Sequence, residues 1–248
     1  MRRPPQFLTL ALLLAIAVFL LFPGLDPAVS GLFYRPGQGF WLSRAPWVMD
    51  LRTAYWVFGD TLGLLGLALM LLWLAIGRDR KVPARLWGFA FAAMALGPGV
   101  LVNFVFKPIW GRARPADTTL FGGPHQFTPF FEPANQCHWG CSFVSGEGAA
   151  NAVTALLIGI FLWPLLQRRG RIVAALALTA FAAFGSALRV MAGRHFLSDI
   201  VFGSFLSAYV TWWLYHRMDI AAARAALTRE ALSHDLRRLF RRGPGTKA

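Results

Sequence analysis

The run YWVFGDTLGLLGLALMLLWLAI, residues 55–76, decides the fold. It is long enough to cross the roughly 30 Å hydrocarbon core of a bilayer as a helix rising 1.5 Å per residue. It is also too uniformly apolar for a surface helix, which would show a polar face. Working outward, similar runs lie at 7–22, 86–106, 148–166, 172–191 and 197–215. The chain therefore reads as all-α: a polytopic membrane helix bundle of six transmembrane helices over residues 1–215. Met1-Arg2-Arg3 ahead of Phe7–Phe22 also fits a signal peptide, with Ala28-Val29-Ser30 as a cleavage site. The five spans that follow favour an uncleaved first helix, and an even count puts both termini on one side.

Composition agrees. Hydrophobic residues make up 56% of the 248 and charged residues only 15%, where a soluble domain carries about a quarter. The net charge of +14 is concentrated at the N-terminus, the 78–85 turn, the 167–171 turn and the tail 216–248. By the positive-inside rule these lie in the cytoplasm, with both termini. The opposite face receives the 23–50 loop, the long 107–144 loop and the 189–196 turn. No nucleic-acid reading element accompanies the basic residues, so no nucleic-acid partner is expected. The tail holds eight Lys/Arg against three Asp/Glu. With Leu232, Leu236, Leu239 and Phe240 on one face, it reads as a basic amphipathic helix resting on anionic lipid. Cys137 and Cys141 are too few for a closed zinc site, even with His138 between them. A disulfide and two separate packed thiols both remain open.

The outer face breaks the charge bias in three places. Lys107-Pro-Ile-Trp-Gly-Arg112-Ala-Arg114-Pro115 sets three cations in eight residues, with Asp117 the only nearby acid. Such a cluster repels itself until an anion such as phosphate lies among its donors. Ser142-Phe-Val-Ser145-Gly146-Glu147-Gly148 opens the fourth span. A Ser-Gly pair at a helix start offers a hydroxyl, bare N–H groups and the positive end of the helix dipole, although Ser145 as a plain N-cap explains it too. Arg189-Val-Met-Ala-Gly-Arg194-His195-Phe-Leu-Ser-Asp199 ends the series. A helix beginning here would put His195 and Asp199 on one face. The aspartate would then fix the imidazole tautomer and free the other ring nitrogen for attack.

Together the three segments resemble the signature of the type 2 phosphatidic acid phosphatase superfamily. Lys107 and Arg114-Pro115 match its first part at full spacing, Ser145-Gly146 the core of its second, and Arg189, His195 and Asp199 its third. The resemblance implies a metal-independent lipid phosphatase without cofactors. His195 would be the nucleophile that forms a phosphohistidine, oriented by Asp199. Lys107, Arg114, Arg189 and the Ser145/Gly146 amides would hold the phosphoryl oxygens, with Arg112, Arg194 and His138 as further candidates.

The chain departs from the pattern at Leu188, at Val144 and above all at Glu147, which stands where the family has a proton-donating histidine. Glu147 is either a protonated acid or the salt-bridge partner of an arginine, in which case His138 or His125 would supply the proton. The chain looks most like the bacterial lipid A phosphatases. The expected partner is a membrane lipid in the bacterial inner membrane, dephosphorylated at the periplasmic face. Phe121, Phe127, Phe130, Phe131 and Trp139 are expected at headgroup level, admitting it. Lipid A, at its 4′-phosphate, leads phosphatidylglycerophosphate and undecaprenyl pyrophosphate. A lipid phosphotransferase and a non-enzymatic carrier of anionic lipids are the competing classes.

Overall fold

The structure, a computed structural model, describes residues 5–138 and 140–241. Helix α1 (Gln6–Leu21) and the short α2 (Leu25–Gly31) meet at a bend of 83°. A small antiparallel ribbon follows, β1 (Tyr34–Arg35) with β2 (Gly39–Phe40). Helix α3 (Pro46–Ile76) starts on a proline, whose missing N–H costs nothing there, and stops at Gly77 with φ +81°. Helix α4 (Arg85–Met94) widens into a π-helical stretch, Ala95–Phe106, and continues as α5 (Lys107–Trp110). Pro98 lies inside the wide stretch and has no N–H to give; the Asn103 amide donates to its carbonyl at 2.9 Å. Then come α6 (Gly146–Leu162), α7 (Arg168–Met191), α8 (Leu197–Arg217), α9 (Ile220–Ala225) and α10 (Arg229–Arg241).

Among the described residues five helical stretches are long and apolar enough to cross a membrane, beginning at Pro46, Arg85, Gly146, Arg168 and Leu197. The expected first span is the exception. The 16 residues of α1 give about 24 Å of helix, short of the roughly 30 Å core. A sixth crossing exists only if the bent pair α1–α2 is taken as one. Helix α6 is the hub, packing on α3, α7, α8 and the wide part of α4. Close approach is set by glycine: a Cβ on Gly203 of α8 would sit 2.7 Å from the Ser145 carbonyl oxygen.

The two ends of the bundle differ. One gathers the basic turns around a core of Trp73, Ile76, Phe89, Leu157 and Ile220. The other carries the segments 22–45, 107–145 and 192–196, and with them every residue singled out by the motif.

The tail corrects the sequence reading. Asp235 of α10 is fully buried and accepts from the backbone N–H of Lys81 (2.8 Å) and Val82 (2.9 Å) and from Trp73 Nε1 (3.1 Å). Leu232 and Leu239 pack into the bundle core, while Leu236 and Phe240 stay exposed. The helix is docked on the protein, because one buried acid satisfies three donors that the 77–84 turn and Trp73 leave open. Residues 242–248 of the tail lie outside the described part, as do the leading residues 1–4.

Candidate active site

Backbone turns set the site. Gly111 ends α5 in the left-handed region, and a Cβ there would lie 1.9 Å from the Ala134 carbonyl oxygen, so only glycine fits. The chain from Arg112 then runs beside Ser142, whose N–H donates to the Arg112 carbonyl at 2.9 Å. Between them the long loop is closed by a Cys137–Cys141 disulfide, which resolves the cysteine alternatives. Arg114 ties this loop down, donating to the Gly140 carbonyl from Nε at 2.9 Å and from Nη2 at 2.5 Å. His138 is exposed on the same loop, and Arg194 is exposed before His195.

Helix α7 ends on Gly193, whose positive φ lets the backbone pass under the Phe40 ring; a Cβ would lie 2.4 Å from it. The chain returns with the N–H groups of Arg194 and His195 both on the Arg189 carbonyl. His195 thus sits in the turn before α8, not on the helix as the four-residue spacing suggests. Asp199 is in the first turn of α8 and takes the Phe196 N–H at 2.7 Å, the bond of a helix cap. It also accepts from the Ser142 hydroxyl and, at 2.7 Å, from Arg112 Nη1.

The imidazole is held differently from the expected pair. His195 Nδ1 lies 2.8 Å from the Ser142 carbonyl oxygen and 3.7 Å from Asp199 Oδ2. A carbonyl can only accept, so Nδ1 carries the proton and Nε2 keeps its lone pair. Asp199 acts on the ring as a charge at ion-pair distance and through the Ser142 hydroxyl. Burial, the largest influence, holds His195 below the 6.5 of a free imidazole; Asp199 opposes this, and Arg189 and Lys107 add to it. The ring is therefore neutral at pH 7.

Ser145 caps α6: its hydroxyl accepts the Gly148 N–H at 3.1 Å, and its own N–H donates to the Asp199 carbonyl at 2.9 Å. A Cβ built on Gly146 would meet the Asn103 amide at 3.2 Å and Lys107 Nζ at 3.6 Å. Glycine here brings the open end of α6 against the lysine, an anion-binding arrangement. Glu147 sits in a salt bridge. Arg52 of α3 reaches it from Nε (3.1 Å to each oxygen) and Nη2 (2.8 Å), and Arg189 Nε lies 3.4 Å away. A cavity of about 470 Å³ adjoins this group, with Arg52, Asp60, Asn103, Lys107, Gly146 and Glu147 in its walls.

Arg112 is fully buried and answers the puzzle of three cations without acids. It donates to Asp199, to Ser198 Oγ (2.9 Å), to the Thr128 carbonyl (2.8 Å) and to Asp26 Oδ2 (2.9 Å), and it lies against the Phe127 and Phe196 rings. The loop aromatics correct another expectation. Phe127 covers Arg112, Phe130 stacks on Phe202 of α8, and Phe121 packs on Tyr34 and Phe40. Only Phe131 of these four is exposed, at 40%, and Trp139 lies outside the described residues. Of these rings Phe127 covers a buried charge, while Phe121 and Phe130 pack on other rings.

The profile of the PAP2 superfamily matches residues 85–221, a stretch that holds this whole constellation except Asp26 and Arg52. The chain belongs to the PAP2 superfamily. Among curated relatives, the lipid A 4′-phosphatase of Francisella tularensis subsp. novicida (strain U112) is 30% identical over 207 residues, 81% of this chain and 89% of the relative. The lipid A 4′-phosphatase of Rhizobium leguminosarum is 39% identical over 123 residues, half of each chain. That of Rhizobium etli is 36% identical over 129 residues, 52% of this chain and 48% of the relative. No solved structure matches the chain. This PAP2 protein is a phosphoric monoester hydrolase of a membrane lipid phosphatase type.

The sequence reading passed over Asp26, Arg52, Asn103 and Ser142. Only Ser142 left a signal, its place three residues before the Ser-Gly pair of this PAP2 site.

Proposed function

We propose that the protein removes the 4′-phosphate of lipid A at the periplasmic face of the bacterial inner membrane, without a metal, through a phosphohistidine on His195. The observation that carries this reading is the Nδ1–H of His195 held on the Ser142 carbonyl. It leaves Nε2 as a neutral lone pair beside Arg189 and Lys107. Nε2 attacks phosphorus, the P–O bond to the lipid breaks, and the leaving oxygen takes a proton from water. Water then attacks the phosphohistidine, the P–N bond breaks, and phosphate leaves. Lys107, Arg189 and the first N–H groups of α6 balance the charge that spreads over the phosphoryl oxygens, the main demand of such a transfer. Asp199 stabilises the positive charge that develops on the ring. Glu147 is assigned to holding Arg52 and Arg189 in place, and Arg114 to the loop that closes over the site.

The names of the relatives support the substrate. A second, apolar cavity of about 1010 Å³ runs along α6, α7 and α8 from Val190 and Leu197 to Trp163 and Arg224, a space suited to acyl chains. The orientation rests on the basic turns at the far end and on the disulfide at the site end, which suits an oxidising compartment. The test is phosphate release by purified protein from lipid A, phosphatidylglycerophosphate, phosphatidic acid and undecaprenyl pyrophosphate, with and without a chelator. Release from the 4′-position of lipid A, unchanged by the chelator, is expected. Preference for another lipid, or loss of activity with the chelator, overturns the corresponding part of the reading.

A further inference from the structure

Asp26 stands on α2, ahead of every residue that matches the family, yet it is among the most deeply tied side chains of the molecule. It is 2% exposed. Its Oδ1 accepts the Ser198 N–H at 2.8 Å, and its Oδ2 accepts the Ser198 hydroxyl at 2.5 Å and Arg112 Nη2 at 2.9 Å. The other arm of the same guanidinium holds Asp199 at 2.7 Å. Two buried acids therefore share one buried cation, and Asp199 alone of the two faces His195.

The charges explain why a second acid matters. An Arg112–Asp199 pair by itself would be neutral, and the guanidinium would cancel much of the field that Asp199 exerts on the imidazole. Asp26 draws on the outer face of Arg112, so the group of three carries a net negative charge. That charge is turned to His195 through Asp199 Oδ2, 3.7 Å from Nδ1. The groups that bear on the ring from other elements are both positive, Arg189 of α7 and Lys107 of α5. The negative cluster is what opposes them. Geometry adds to this: by holding both the N–H and the hydroxyl of Ser198, Asp26 pins the first turn of α8, where Asp199 sits.

We infer that Asp26 is a positioning residue for the phosphatase reaction, acting through Arg112 and Ser198 to hold Asp199 aimed at His195 and to leave the cluster net negative. The inference rests on the reading of His195 as nucleophile. In a merely structural role, the buried triad would affect folding and leave the titration of the imidazole alone.

Asp26→Asn keeps the shape and one acceptor oxygen, removes the charge and turns the other oxygen into an NH2 donor. With detergent-purified protein and lipid A bearing a 4′-phosphate, the expected result is a fall in kcat of about 10- to 100-fold, with KM within about twofold. The acid limb of the kcat profile should also move to lower pH, because a less negative cluster disfavours the imidazolium. A variant that melts earlier yet keeps the wild-type kcat and acid limb overturns the inference. Asp26→Glu keeps the charge and displaces Arg112 by a methylene. It should leave the acid limb in place and lower kcat several-fold; wild-type kcat in that variant overturns the inference by itself, even if Asp26→Asn yields no folded protein. His195→Ala separates the two levels. Turnover in that variant removes the nucleophile reading, whereas a dead His195→Ala beside a wild-type-like Asp26→Asn removes only the role of Asp26.

Discussion

Asp199 and Asp235 sit at opposite ends of the bundle, and both are fully buried. Asp235 is met by two backbone N–H groups and an indole, with the half-exposed His234 beside it. Asp199 is met by a backbone N–H, a hydroxyl and a guanidinium that a second acid also claims. Burial and hydrogen bonding are alike; the surroundings are not. Neutral donors around Asp235 make it a latch that holds α10 on the 77–84 turn. The charged donor and the nearby imidazole make Asp199 part of an electrostatic device. A buried carboxylate beside a histidine is thus no sign of catalysis in itself; what else shares its donors decides.

The contrast can be broken by substitution. Asp199→Asn removes the charge facing His195 and should lower kcat on the order of 10³-fold or more, by analogy with triad aspartates. Asp235→Asn should leave kcat and KM near wild type while costing about 1–3 kcal/mol of stability, seen as a lower Tm in detergent. Equal losses of kcat in the two variants would erase the distinction. Glu147→Gln tests the neighbouring carboxylate. An anchor for Arg52 and Arg189 predicts a loss below about 10-fold, whereas a general acid would show a loss of about 10²-fold or more. The smallest effect concerns pH. With His195 held neutral by burial, the acid limb of kcat/KM should lie below the 6.5 of free imidazole; a limb above that value would mean that Asp199 outweighs burial and the two nearby cations.

The sequence shows these two aspartates unequally. Asp199 is legible because its spacing from His195 and Arg189 is a local pattern, and the five long apolar runs are legible because hydropathy needs no tertiary context. Asp235 is hidden in the charged face of an amphipathic helix, where a solvated acid is the default reading. Asp26 and Arg52 lie 86 and 95 residues from Arg112 and Glu147, the partners that explain them, and no periodicity links such distances. The hydrogen bond from His195 to the Ser142 carbonyl is equally hidden, since a backbone oxygen has no sequence signature. The bend between α1 and α2 escapes for a related reason: Pro23 and Gly24 mark a break, but not that the next turn delivers an acid to the site.

The central claim is that Nε2 of His195 carries the phosphoryl group. Rapid quenching at alkaline pH during turnover of lipid A labelled in its 4′-phosphate tests it directly. The label should appear on the protein as phosphohistidine at residue 195, at a rate sufficient for turnover, and be absent from His195→Ala. Label on another residue, or full turnover by His195→Ala, would contradict the account.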